Sequence, residues 1–169
     1  AAVSKASTAE FTYTFAGWTP TIVPVTGDAE YTAVFTAKTN TYTVSFNANG
    51  HGTAPEAQTV AYGAKATQPT MSAVEGYTFG GWFREATCQN EWDFAENTVT
   101  ADIELFAKWT LNSWMLTWDL ADGTITTAGT PDGLTAYGTA LTAPIVELTG
   151  YEFAGWSPAV DATMPDHDA

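Results

Sequence analysis

A short phrase, Phe-x-Gly-Trp, occurs three times in this chain and constrains its fold more than any other feature. It stands within YTFAGW, YTFGGW and YEFAGW, which end at Trp18, Trp82 and Trp156. Self-similarity of this kind is the signature of tandem repeats. The spacings of 64 and 74 residues exceed a solenoid period of roughly 20 to 50 residues. Each copy is therefore predicted to be a very small domain with its own core.

Other landmarks recur in the same order along the chain. They form three pairs: YTVSF (42–46) with WMLTW (114–118), VAYG (60–63) with TAYG (135–138), and EYTAVF (30–35) with IELFAKW (103–109). The pairs predict three parts: the back of a first repeat with its third and closing strands (1–39), a complete repeat (40–110), and the front of a third repeat without its closing strand (111–169).

The complete repeat has the pattern of four strands. Tyr42, Val44 and Phe46 alternate with polar residues, which is typical of a strand buried on one side, and 14% of the chain is aromatic. Between the third and fourth strands lies a long crossover, in which DFAENT (93–98) favours one helical turn. We expect a mainly β fold with a minor α component. The joints TAKTNT (36–41) and WTLNS (109–113) contain neither Pro nor Gly, which predicts an elongated, stiff chain.

The charge balance excludes two classes of partner. Five Lys and Arg against nineteen Asp and Glu give a net charge of −14, which repels phosphate backbones and anionic lipid. No apolar run approaches the roughly 18 residues that span a bilayer. We therefore expect neither nucleic-acid binding nor membrane insertion, and any targeting signal is expected outside this sequence.

The repeated motifs resemble the Listeria-Bacteroides repeat, also called the B-repeat of internalin B. The similarity rests on YTVSFNANG, QTVAYG, GYTFGGWF, WDF and DIELFAKWT, in the family's order over residues 41–110. The resemblance implies small β-grasp-like repeats in a secreted or cell-wall-attached bacterial protein. It also implies a spacer or adhesion role at the cell surface, with a host protein or glycan as partner, and no catalytic residues.

The aromatic residues allow two interpretations. The repeated positions favour packing within each repeat, so the predicted structural core comprises Phe15, Trp18, Phe79, Trp82, Phe153 and Trp156. Trp92 and Trp114 are less regular and are the candidate ligand contacts with an exposed or interface position, because an exposed indole stacks well on a sugar ring. The alternative function is therefore an accessory carbohydrate-binding module of a secreted enzyme.

Residues that carry catalysis or bind metals are sparse. His51 and His167 fall in different repeats, and Cys88 lies in a polar loop without a nearby histidine in sequence, which favours an exposed thiol. The pairs Asp119 with Asp122 and Asp166 with Asp168 lack the ligand spacing of a calcium loop. We expect no enzyme activity, no cofactor and no metal. The open ends of the first and third repeats predict head-to-tail self-association by strand addition.

Overall fold

The chain folds as short strands joined by turns and loops, in a computed structural model that describes residues 3–167. No helix occurs in this range, and the predicted mainly β fold is confirmed. The strands are β1 (Phe11–Thr19), β2 (Thr32–Thr39), β3 (Thr41–Asn47), β4 (Gln58–Ala61), β5 (Tyr77–Phe83), β6 (Ile103–Leu111), β7 (Ser113–Leu116), β8 (Thr124–Thr127), β9 (Gly133–Ala136) and β10 (Ile145–Glu147).

The helical turn expected in DFAENT is a single hydrogen-bonded turn. The Asn97 backbone N–H donates to the Asp93 carbonyl at 2.7 Å. The Asp93 carboxylate accepts from the Ala95 backbone N–H, and the Asn97 side-chain oxygen accepts from the Asp93 N–H. Because Asp and Asn side chains compete for backbone donors in this way, the turn does not extend into a helix. The minor α component is thus absent from the described residues.

Two compact units are formed by the described residues. One contains residues 3–71 and 81–108, and the other contains residues 72–80 and 109–167. The sequence-predicted boundaries at 39/40 and at 110/111 each fall inside one of these units. The division into three repeats stays a prediction based on sequence.

A four-stranded sheet has the order β4-β3-β6-β5. β3 pairs with β4 in antiparallel fashion and with β6 in parallel fashion. The parallel register places Val44 opposite Ile103 and Phe46 opposite Leu105. The closing strand β6 therefore lies between the opening strand β3 and the Phe-x-Gly-Trp strand β5.

The core of the first unit lies on one face of this sheet. The Phe46 and Trp82 rings contact edge to face, with centroids 4.8 Å apart. Burial follows the predicted alternation, since Val44 is fully buried and Thr43 is exposed. Val60 is also buried. The remaining buried apolar residues of this unit are Ala66, Phe83, Trp92, Val99, Leu105 and Ala107.

The first copy is represented by the antiparallel pair β1 and β2. The register shifts between Phe15 and Gly17, where Gly17 has a φ of 137° that a residue with a side chain rarely adopts. The third copy contains two antiparallel pairs, β7 with β9 and β8 with β10. Its buried apolar side chains include Leu116, Val146 and Met164.

Candidate functional site

The joints between consecutive copies are each a single residue long. β2 ends at Thr39 and β3 begins at Thr41, so Asn40 alone separates them. Asn112 alone separates β6, which ends at Leu111, from β7. The two asparagines are 72 residues apart, the same offset that relates β3 to β7. What holds each asparagine therefore controls how one copy is attached to the next.

Both asparagines use their backbone groups in the same way. The Asn40 N–H donates to the Glu10 carbonyl at 2.8 Å, and the Asn40 carbonyl accepts from the Tyr62 N–H at 2.9 Å. In the second unit, the Asn112 N–H donates to the Gly76 carbonyl at 2.8 Å, and its carbonyl accepts from the N–H of Tyr137 at 2.9 Å. Each asparagine is thereby bonded to two neighbours. One is the residue just before β1 or β5, and the other is the residue just after β4 or β9.

The Asn40 side chain adds three hydrogen bonds within the first unit. Its Nδ2 donates to the carbonyls of Thr8 and Ala9 at 2.9 and 3.0 Å. Its Oδ1 accepts from the Thr12 hydroxyl at 2.7 Å. Tyr42, two residues after Asn40, also bonds to the segment before β1, because its hydroxyl donates to the Ala9 carbonyl at 2.6 Å. The segment that precedes β1 is thus bonded to the start of β3.

The Asn112 side chain makes the corresponding attachment through a carboxylate. Its Oδ1 accepts from the Thr78 hydroxyl at 2.6 Å, as Asn40 does from Thr12. Its Nδ2 donates to Asp166 Oδ1 at 2.9 Å. The Trp114 indole N–H donates to the same oxygen at 3.1 Å. Trp114, which the sequence singled out as a ligand contact, is half-buried in this joint.

Asp166 is the electrostatic centre of the second joint. Its Oδ2 accepts from the Gly76 backbone N–H at 3.0 Å. The hydrogen bond from Asn112, followed by the one from Gly76, holds the pKa of Asp166 below its ordinary value, and the Trp114 N–H and the nearby His167 act in the same direction. The carboxylate is thus stabilised in its charged form.

Close packing at the second joint requires a glycine. Gly76 has a φ of 75°, and a Cβ at this position would collide with the Tyr137 ring. A residue with a side chain would therefore strain the backbone and displace an aromatic ring at once.

The six predicted core residues occupy different environments. Trp82 is 1% exposed, whereas Phe15 is 38%, Trp18 36% and Phe153 49% exposed. Phe15 packs on Trp18, and Phe153 on Trp156, with the same centroid distance of 5.6 Å. Phe79 packs on Trp109 at 5.4 Å. The repeated motif thus fixes local ring geometry in the partial copies, and deep burial accompanies it only in the complete copy.

The exposed position expected for Trp92 is wrong. Trp92 is 4% exposed, and its backbone N–H donates to the Trp82 carbonyl at 2.7 Å. The Arg84 guanidinium lies 4.5 Å from the centre of its ring. The crossover folds back on β5 and uses Trp92 as its apolar anchor, so this indole offers no platform for a sugar.

The other residues considered from sequence do not form a reactive cluster. Cys88 is half-buried, and its Sγ lies 3.7 Å from the Asn49 Nδ2. Asp119 accepts from the Ala121 backbone N–H in a turn that also contains Asp122. Within residues 3–167 no three His, Cys, Asp or Glu side chains are grouped as metal ligands. His51 is half-buried, and Asp168 lies outside the described residues.

Sequence reasoning identified both joints but missed the asparagines within them. The signal that would have found them is the offset of 72 residues, which relates Asn40 to Asn112 as it relates Tyr42 to Trp114. Thr12 and Thr78, which donate to these asparagines, are each the second residue of their strand, although they stand three residues and one residue before the Phe of the motif. Asparagine fits the position because its side chain both donates and accepts hydrogen bonds.

The geometry defines a β protein of small sheets, in which a single hydrogen-bonded asparagine separates β2 from β3 and another separates β6 from β7. Comparison with known proteins assigns part of the chain to a family. The family model of the Listeria-Bacteroides repeat domain matches residues 42–108. This segment belongs to that family, which confirms the resemblance predicted from the sequence motifs.

Relatives extend the similarity beyond this segment. The chain is 37% identical over 123 residues to Internalin H of Listeria monocytogenes, covering 72% of the chain and 21% of the relative. It is 34% identical over 118 residues to an Evansella cellulosilytica protein described as a membrane protein, covering 69% of the chain and 17% of that protein. The chain thus spans about a fifth or less of these relatives. Among residues 3–167, no helix has the length and apolarity to cross a membrane.

Proposed function

We propose that this chain is a non-enzymatic spacer module of a bacterial surface or secreted protein, in which the asparagine joints limit bending between copies. The observation that carries the proposal is the repeated bonding of Asn40 and Asn112. A spacer transmits position along its length, and flexible linkers would prevent this. Here the single joint residue is bonded by its backbone to both flanking copies, and its side chain adds bonds to the copy before it in both joints.

We also propose that the complete copy has a β-grasp-like fold. The strand order β4-β3-β6-β5, with a parallel central pair, supports this assignment. Trp92, packed against Arg84, anchors the crossover that stands where such folds carry a covering element. A repeat of about 70 residues that buries its own core can be multiplied in tandem without further support.

The location at the cell surface rests on similarity. Internalin H and the Evansella protein described as a membrane protein are both matched over about 70% of this chain. The high negative charge keeps such a module soluble and away from anionic membranes. A spacer at this location would project other domains, and adhesion to a host protein or glycan would be a second role of the same array.

The stiffness of the first joint can be measured with two spin labels. Cys88→Ser removes the native thiol, and cysteines replacing the exposed Thr14 of β1 and Thr59 of β4 carry the labels across the joint. Pulsed electron–electron double resonance should give a narrow distribution of the distance between the two labels. Asn40→Ala should broaden it, whereas Thr39→Ala, one residue away on the exposed end of β2, should not.

Two results would reject the proposal. A broad distribution in the parent chain would mean that the joint already bends freely. A distribution unchanged by Asn40→Ala would mean that the asparagine does not set the geometry.

A further inference from the structure

A cavity in the second unit lies between the loop 128–132 and the strand β8. Its volume is about 370 Å³, within the roughly 300–1,000 Å³ that is usual for ligand sites. Its lining is mainly apolar and includes Trp118, Leu120, Ile125, Pro131 and Pro144. A shallower cleft of about 290 Å³ continues from it along β9. Because both are lined by residues 130–132, they form one continuous surface, which we call the β9 cleft.

Hydrogen bonds hold the β9 cleft in shape. The Trp118 indole N–H donates to the Thr130 carbonyl at 2.7 Å, and the Trp118 backbone N–H donates to Asp132 Oδ1 at 3.0 Å. The Thr142 N–H donates to the Thr130 hydroxyl, and the Thr142 carbonyl accepts from the Thr130 N–H. Gly129 packs so closely that a Cβ would collide with the backbone of Thr142. A cleft that is already ordered costs little conformational entropy when a ligand binds.

An open strand edge runs along the β9 cleft. β9 pairs with β7 in antiparallel fashion, and the Tyr137 N–H, just after β9, donates to the Asn112 carbonyl. Because every second residue of an antiparallel strand bonds to its partner, Ala136 and Leu134 direct their backbone groups away from β7. The Ala136 carbonyl accepts from the Thr139 N–H at 3.1 Å. Within the described residues, the Leu134 N–H and carbonyl and the Ala136 N–H are left for a further strand.

The charge of the β9 cleft comes from Asp132. The second unit, residues 72–80 and 109–167, contains eight Asp and Glu but no Lys or Arg. Four of the five Lys and Arg side chains elsewhere in the chain already lie over an aromatic ring or bond to a carbonyl. The best source of a cation for the Asp132 carboxylate is therefore another molecule.

The two faces of β9 define the side chains that such a molecule should carry. Thr135 is buried on the face that carries Trp118, whereas Leu134 is 76% exposed on the opposite face. A Lys or Arg on the Trp118 face can lay its alkyl stem on the apolar lining and its charge against the indole and Asp132. The residues on either side of it then lie beside Leu134 and should be apolar.

We propose that the β9 cleft binds an extended segment of a partner protein, which adds to the free edge of β9 and inserts a Lys or Arg side chain beside Trp118 and Asp132. A second copy of this chain fits less well as the occupant. Two chains of net charge −14 repel each other.

The test uses the peptide STTVKVTTS, acetylated and amidated at its ends, which places one lysine between two valines. It is titrated into the ¹⁵N-labelled 169-residue chain, and binding is followed by nuclear magnetic resonance. We expect saturable shifts of the Leu134 and Ala136 amides and of the Trp118 indole N–H. Replacing the lysine of the peptide with norleucine keeps the stem and removes the charge, which should weaken binding about threefold to fivefold.

A variant of the chain tests whether Asp132 receives the charge. Asp132→Asn keeps an oxygen that can accept from the Trp118 N–H but removes the carboxylate. This variant should weaken binding of the lysine peptide about threefold to fivefold and leave binding of the norleucine peptide unchanged. Asp122→Asn removes an equal charge from a turn outside the β9 cleft and should change neither, and thermal melting verifies that both variants fold.

N-methylated peptides test the strand pairing. One carries an N-methyl group on the lysine, and the other carries one on each valine. Because successive N–H groups of a strand point to opposite edges, one of these peptides should lose about tenfold or more in affinity and the other should still bind.

Four results would overturn the proposal. They are no saturable shift at millimolar peptide, shifts away from β9, equal binding of the lysine and norleucine peptides, and equal binding of the two N-methylated peptides. Concentration-dependent shifts of Leu134 and Ala136 in the free chain would overturn it in favour of self-association.

This inference goes beyond the spacer function and fails independently of it. Asn40→Ala should change the distance distribution across the first joint and leave peptide binding to the β9 cleft intact. Asp132→Asn should do the reverse.

Discussion

Replacing Asn40 tests the first joint most directly, because its contribution can be worked out bond by bond. Asn40→Ala removes two bonds donated to the Thr8 and Ala9 carbonyls and one accepted from the Thr12 hydroxyl. A typical hydrogen bond contributes roughly 0.5–1.5 kcal/mol net. The three bonds lie near solvent, so water can replace the lost partners and the lower part of that range applies. We expect Asn40→Ala to lower the free energy of unfolding by roughly 1.5–3 kcal/mol.

Asn40→Asp separates the donated bonds from the accepted one. At neutral pH the new carboxylate can still accept from Thr12, but it faces the two carbonyl oxygens that Nδ2 now bonds. We therefore expect Asn40→Asp to be more destabilising than Asn40→Ala at pH 7. Near pH 4 and below, a protonated carboxyl can donate one hydrogen bond, and the gap between the variants should narrow.

Urea denaturation of the parent chain and both variants at pH 7 and pH 4 measures these differences. Hydrogen exchange at Tyr62, whose N–H donates to the Asn40 carbonyl, reports whether the joint itself has opened. Thr39→Ala serves as the control at a neighbouring exposed position. If Asn40→Asp were as stable as the parent chain at pH 7, the side-chain amide would not act as the donor in this joint, and the reasoning would be refuted.

Three further results are expected. Trp82→Ala should cost about 3–5 kcal/mol in urea denaturation, and Trp18→Ala clearly less, because Trp82 is 1% and Trp18 36% exposed; equal costs would contradict the burial argument. Gly76→Ala should lower stability by about 1–3 kcal/mol and more than Gly63→Ala, which has the same φ of 75° but open space around its Cβ. The lowered pKa of Asp166 means that its stabilising effect is present at neutral pH and lost as the pH falls below about 4. Thermal melts of Asp166→Asn should therefore differ most from the parent at pH 7, and the difference should shrink as the pH is lowered below about 4.

Sequence reasoning was most successful where burial is decided by nearest neighbours in the chain. Val44 and Phe46 alternate with polar residues, and the structure buries both. Sequence reasoning failed for Trp92, because the burial of this side chain depends on a crossover that returns to β5 and Arg84. Irregular segments have no periodicity from which such a return can be predicted.

The joints illustrate a different limit. Their shortness could be read from the sequence, since it is a count of residues between predicted strands. The partners of Asn112 could not be predicted from the sequence, because Asp166 lies 54 residues away and reaches the joint only through the fold of the third copy. A short polar residue between two strands would otherwise pass for an exposed turn position.

The three copies together show how one motif serves two structural states. The ring pair Phe15–Trp18 has the same separation and interplanar angle as Phe153–Trp156. Local geometry is therefore encoded within the motif itself. The motif does not by itself encode deep burial, because Trp82 is inaccessible in a sheet that contains β3, β5 and β6 together.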